Sequence, residues 1–144
     1  MARAPEKGYL HSMVKEANAG PEGPPRALVV EDSAQQRRRL VDIVAKALSG
    51  FEVSEAKDVS TAIESARRLQ PDVVTLDLGL PDGSGLEVLR AIREGGTAAR
   101  VIVVTGESDD RYRRASLEAG ADEFLDKADL ERLPALLASS NEDV

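Results

Sequence analysis

The chain has 144 residues, with 26 Asp and Glu against 19 Lys and Arg, and a formal charge of −7 when its single His is neutral. That length suits one domain, and 42% hydrophobic with 31% charged residues is the make-up of a folded globule rather than a disordered chain. The acidity argues against a sequence-independent nucleic-acid binder and against adsorption to an anionic bilayer, both of which need clustered cations, and the lack of Cys excludes a disulfide framework, a thiolate metal site and a cysteine nucleophile.

Residues 1–25 hold four of the seven prolines (Pro5, Pro21, Pro24 and Pro25) and read as an extension outside the core. Within it Tyr9, Leu10, Met13, Val14 and Ala17 share one face of a short helix, and the stretch Gly20 to Pro25 breaks that helix and acts as a stiff spacer. The body, 26–144, alternates short apolar runs with segments of helical period. The runs 27–30, 73–76 and 101–104 are apolar on both faces, as buried parallel strands are, and they are far too short to span a bilayer. Nothing resembles a secretory signal, so the expected location is the cytoplasm.

Between the strands, Leu40, Ile43, Val44, Ala47 and Leu48 form a helical stripe closed by Gly50, and Ala62, Ile63, Ala66 and Leu69 form another stopped before Pro71. A third helix carries Leu86, Leu89 and Ile92 and ends near Gly95 and Gly96, and a fourth runs from about Asp109 to Ala119 with Gly120 as its cap. Phe51 to Ala56 and Asp122 to Asp126 supply two further strands. A last helix over Leu130 to Ala138 contains Pro134, which is expected to open it because proline inside a helix is costly. Five βα units joined by right-handed crossovers predict an α/β fold whose parallel sheet is covered on both faces.

In open sheets of this kind ligands bind beyond the carboxyl ends of the strands. There the sequence places Glu31 and Asp32 after the first strand, Asp77 after the third, Thr105 at the end of the fourth and Lys127 after the fifth. Three carboxylates on one rim repel one another unless a cation shares the site, and such hard oxygen ligands suit magnesium. A metal there would leave one carboxylate as an oxygen nucleophile toward phosphorus, with a hydroxyl and an ammonium holding phosphoryl oxygens. Asp77, Thr105 and Lys127 fit those roles.

These segments, Glu31-Asp32, Asp77-Leu-Gly-Leu-Pro-Asp-Gly-Ser-Gly85, Val-Val-Thr105-Gly and Gly120-Ala-Asp-Glu-Phe-Leu-Asp-Lys127, resemble the receiver domain of two-component response regulators over residues 26 to about 140. The resemblance implies a three-layer α/β/α, flavodoxin-like fold with strand order 2-1-3-4-5. It implies Asp77 as phosphoacceptor; Glu31, Asp32, Asp77 and the carbonyl of Gly79 as ligands for magnesium, with manganese able to substitute; and Lys127 as the partner of the phosphoryl group. Thr105 and Phe124 then resemble the switch pair, acting on the face built by the fourth helix, fifth strand and fifth helix. The implied partners are a sensor histidine kinase or histidine phosphotransfer protein upstream, and a downstream protein or a second copy on the switch face, with no nucleic acid and no membrane. The chain reads as a stand-alone receiver or a piece of a longer regulator, and not as an enzyme.

There are departures from the family pattern. Ala128 stands where a proline usually follows the lysine, so a trans bond and a rerouted loop are expected, with the reach of Lys127 in question. Gly79 offers no side chain to shield an acyl phosphate, while Glu107, two residues after Thr105, could orient or exclude water. Arg37, Arg38 and Arg39 form either a solvated face or a docking face for the phosphodonor; Arg111, Arg113 and Arg114 with Tyr112 lie where receivers contact partners. A phosphatase of the haloacid-dehalogenase kind would need a second Asp where Gly79 stands, a non-phosphorylated pseudo-receiver would not need the intact acids, and His11 has no helical bundle in which to serve a relay. Gly83-Ser-Gly85 is no dinucleotide fingerprint, because Val88 replaces the third glycine.

Overall fold

The computed structural model describes residues 23–139. The predicted extension lies outside them except for residues 23–25, as do residues 140–144 of the predicted body. The three doubly apolar runs form the centre of a sheet, since only coverage on both faces removes such side chains from water. They are β1 (Arg26–Val30), β3 (Val73–Leu76) and β4 (Arg100–Thr105). The more polar β2 (Glu52–Ala56) and β5 (Glu123–Asp126) are the edges. All five pair in parallel in the order β2-β1-β3-β4-β5.

The connecting helices are α1 (Ala34–Ala47), α2 (Val59–Leu69), α3 (Gly85–Glu94), α4 (Asp110–Glu118) and α5 (Leu133–Ala138). Alternation along the strands sends Leu28, Val30, Val74, Leu76, Val101 and Val103 to one face, where α2 and α3 cover them with Val59, Ala62, Val88, Leu89 and Ile92. Ala27, Val29, Val73, Ile102, Val104 and Leu125 point the other way, against Leu40 and Val44 of α1 and Leu133 and Leu137 of α5. This is the three-layer, flavodoxin-like arrangement that the resemblance implies.

Local chemistry sets the helix ends. Ser33 caps α1 by accepting from Gln36 N–H, Asp58 caps α2 through Thr61 N–H, and Ser84 with Glu87 forms a reciprocal capping box on α3. Gln70 closes α2 in the left-handed region at φ 52, its N–H still donating to Ala66 C=O (3.0 Å), and Pro71 follows where the helix has already stopped. The end of the chain differs from expectation. A 3-10 helix over Lys127–Arg132 precedes α5, started by Asp126, whose side chain accepts from Ala128 N–H. Pro134 sits in the first turn of α5, where its missing N–H costs no hydrogen bond.

Candidate functional site

Parallel strands end on the same side, so β1, β3, β4 and β5 deliver their following residues to one rim. The ladder continues one residue beyond β1 and β3, with Glu31 N–H donating to Ala56 C=O (3.0 Å) and Asp77 N–H to Val30 C=O (3.1 Å). One carboxylate oxygen from each of Glu31, Asp32 and Asp77 falls within 4.8 Å of the others. The three are graded in exposure: Glu31 and Asp77 are buried and Asp32 faces solvent. Because Ser33 serves as the cap of α1, Asp32 is not engaged as one.

Lys127 reaches this cluster. Its Nζ lies 2.8 Å from Glu31 Oε1 and 2.8 Å from Asp77 Oδ2, and donates to Gln36 Oε1 at 2.6 Å. Burial pushes the Glu31 carboxyl up; the Lys127 ammonium and the Ser33 N–H pull against that rise and the Asp77 charge adds to it. Burial also opposes charge on Lys127, but hydrogen bonds and charges from Asp77 and Glu31 outweigh it, so its ammonium is held above the ordinary lysine range. Every peptide bond of the described residues is trans, Lys127–Ala128 included.

Three carboxylates against one ammonium leave the rim electron-rich. Glu31 Oε1 is buried against the Lys127 ammonium, which it shares with Asp77 Oδ2. Three carboxylates converging around that ammonium form a hard oxygen donor set that fits a divalent cation of the magnesium type.

Around Asp77 the backbone is tight. Gly79 N–H approaches Asp77 Oδ1 at 3.3 Å, and Gly79–Leu80 pairs antiparallel with Gly83–Ser84 in a small hairpin. Gly85 N–H donates to Leu78 C=O (2.9 Å), and a Cβ on Gly85 would run into the carbonyl oxygen of Asp77, so this turn closes only around glycine. Thr105 is fully buried and its Oγ1 accepts from Glu107 N–H at 3.2 Å. The Glu107 carboxylate flanks the space that Gly79 leaves, 3.5 Å from where a Cβ would stand. Phe124 is half-buried, packed against the α2 and α3 side of the core, with the Arg113 guanidinium 5.6 Å from its ring centroid.

The structure thus brings Glu31, Asp32, Asp77 and Lys127 together, with Gly79 adjacent, and sets Thr105 and Phe124 on β4 and β5. It corrects one expectation. Arg37 does not belong with Arg38 and Arg39 on a solvated or docking face: its guanidinium turns inward, donating to Glu31 C=O (2.8 Å), Asp32 C=O (3.3 Å) and Glu55 Oε1 (2.8 Å). Two side chains at the rim had no signal in the sequence. One is Gln36, on Lys127. The other is Asp82, whose carboxylate accepts from Val59 N–H (2.7 Å) and Ser60 N–H (3.1 Å) and so ties the hairpin to the start of α2. His11 lies outside the described residues.

A family model for the response regulator receiver domain matches residues 27–138. The KDP operon transcriptional regulatory protein KdpE of Escherichia coli (strain K12) is 40% identical over 100 residues, covering 69% of this chain and 43% of KdpE. The chemotaxis protein CheY of Thermotoga maritima is 34% identical over 103 residues, covering 71% of this chain and 84% of CheY. Among solved structures, the response regulator domain of Thermotoga maritima CheB is similar at a TM-score of 0.69 and 33% identity, covering 81% of this chain and 92% of that one. The chain spans less than half the length of several curated relatives, 43% of KdpE and 44% of the probable transcriptional regulatory protein TcrX of Mycobacterium tuberculosis. The family match runs from β1 through α5, across every strand and both helical layers, and this chain belongs to the response regulator receiver domain family of two-component signalling.

Proposed function

We propose that the domain accepts a phosphoryl group on Asp77 and signals by the resulting change in its surface. The observation that supports this most directly is the Lys127 ammonium 2.8 Å from Asp77 Oδ2, beside two further acids at the same rim. An Asp77 carboxylate oxygen attacks the phosphorus of a phosphohistidine on a sensor kinase or phosphotransfer protein. The P–O bond forms, the P–N bond breaks, and the imidazole leaves with that electron pair and takes up a proton from solvent. Lys127 carries the positive charge that pairs with the phosphoryl oxygens, and Thr105 supplies a hydroxyl to them. Glu31, Asp32, Asp77 and the Gly79 carbonyl would hold magnesium or manganese, which when bound supplies the charge that offsets the anionic donor.

In this reading Phe124 responds to Thr105, and the α4-β5-α5 face, with Arg111, Tyr112, Arg113 and Arg114, meets a downstream protein or a second copy. Tyr112 and Leu117 are its exposed large apolar side chains. The domain is a signalling module of the cytoplasm rather than an enzyme, acting on neither nucleic acid nor membrane. None of its helices among the described residues is long and apolar enough to cross a bilayer.

Incubation with a small phosphodonor and magnesium, followed by intact mass, tests the reading. One phosphoryl adduct on the parent protein and none on Asp77→Asn is expected. An unmodified parent would favour a pseudo-receiver scaffold, and sustained phosphate release from varied monoesters would favour a phosphatase.

A further inference from the structure

Arg37 occupies the first turn and a half of α1, where a cation is disfavoured by the helix dipole, yet its side chain is mostly enclosed. The enclosure has a reason. Its Nη1 donates to the carbonyls of both Glu31 and Asp32, at 2.8 and 3.3 Å, while its own backbone N–H donates to Ser33 C=O at 2.7 Å. The side chain therefore grips two successive residues of the loop between β1 and α1, and the backbone N–H of the same residue holds the third through the first helical bond. Its Nε is bound to Glu55 Oε1 at 2.8 Å, which anchors the guanidinium to β2.

That loop has a demanding task. Glu31 must turn its carboxylate inward to Lys127 while the very next residue turns its own to solvent, and both must still offer an oxygen within 4.8 Å of Asp77. Adjacent residues meet both conditions only if the peptide between them is held in one orientation, and a guanidinium on its carbonyl and on that of the following peptide does that. Lysine would keep the charge but not the planar fork that serves the carbonyls and Glu55 at once.

We infer that Arg37, anchored by Glu55, is a positioning residue for the acidic pair: it sets magnesium affinity by holding the Glu31–Asp32 backbone, without contacting the metal. The inference rests on the phosphoacceptor reading given above. The positive charge of Arg37 by itself opposes a nearby cation, so the informative variant is Arg37→Lys, which keeps that charge and loses the grip.

Magnesium titration of the full chain by calorimetry, in about 0.15 M salt to screen exposed charges, reads the effect directly. Arg37→Lys is expected to weaken binding about tenfold, as loss of groups that orient metal ligands does, while Arg38→Lys on the exposed side leaves it unchanged. Glu55→Ala weakens it in the same direction by less. With a small phosphodonor, the magnesium concentration for half-maximal phosphorylation of Arg37→Lys rises by the same factor, and its rate at saturating magnesium returns to within about twofold of the parent. A general loss of structure would depress that rate at every magnesium concentration.

Parent-like affinity in Arg37→Lys, or a rate that stays low at saturating magnesium, overturns the inference while leaving the phosphoacceptor reading intact. If Arg37→Lys melts well below the parent, Glu55→Ala decides, and parent-like affinity there overturns the inference too. A parent protein that binds no magnesium overturns both.

Discussion

Lys127 Nζ sits 2.8 Å from Asp77 Oδ2 across 50 residues of chain, although Ala128 rather than proline follows it. The turn is built differently: Ala128 N–H, which a proline would lack, donates to Asp126 Oδ1 at 2.8 Å and starts the 3-10 helix from which Lys127 projects. Gln36 then holds the ammonium from the α1 side.

Lys127→Met removes the one ammonium paired with Glu31 and Asp77, leaving two buried carboxylates face to face. Breaking a fully buried pair costs about 3–5 kcal/mol. Here a quarter of the lysine side chain is exposed and Glu31, already pushed up by burial, can take a proton, so a loss of about 2 kcal/mol is expected. Denaturant titrations with and without magnesium check this. Magnesium should stabilise Lys127→Met more than the parent, because the cation then relieves a repulsion that Lys127 no longer offsets. Equal stabilisation of the two proteins would contradict the pairing.

Asp82→Ala leaves the first N–H groups of α2, at Val59 and Ser60, without the carboxylate that reaches them from the hairpin. Loss of a capping acceptor costs about 1 kcal/mol. The expected outcome is a lower melting temperature with phosphorylation of Asp77 retained, read by scanning calorimetry and intact mass on the same sample. Since Asp58 still caps the helix through Thr61 N–H, α2 itself should persist by circular dichroism.

Gly85→Ala tests the tight turn behind Asp77. The added Cβ would meet the Asp77 carbonyl oxygen, a backbone atom that no side-chain rotation can move aside, so the loop or the start of α3 must shift. Overpacking of this kind costs about 1–3 kcal/mol, and the shift would carry Asp77 away from Lys127. Both lower stability and a reduced phosphoryl yield are expected; a parent-like yield would show that the turn can open without moving the acid.

What was legible in the sequence depended on how local the signal is. The central strands were readable because Ala27–Val30 and Val73–Leu76 are apolar on both faces, and the rim because Glu31, Asp32, Asp77, Thr105 and Lys127 each follow or end a predicted strand. Arg37 is indistinguishable from Arg38 and Arg39 in the sequence, and only the packed loop shows that one of the three turns inward. Asp82 gave no sign of capping a helix that begins 23 residues before it. The 3-10 turn at Lys127 depends on Asp126 finding Ala128 N–H, a two-residue bond that no hydrophobic period records. Long-range polar contacts of this kind carry no periodicity, which is why the carboxylates at the rim were visible and the groups that hold them were not.

Thr75 lies in the middle of β3, between Val29 of β1 and Ile102 of β4, on the face covered by α1 and α5. It is buried, and its hydroxyl has no hydrogen-bond partner among the described residues. A buried, unpaired hydroxyl carries a desolvation cost of about 1–3 kcal/mol, and its neighbours are apolar. Thr75→Val replaces that hydroxyl with a methyl group of nearly the same shape, so it should stabilise the domain by about 1 kcal/mol, or about 4 °C in melting temperature for a domain of this size. Magnesium affinity and phosphorylation should not change, because the side chain points into the core rather than to the rim. A lower melting temperature would mean that a buried water satisfies the hydroxyl, since valine would then forfeit those hydrogen bonds.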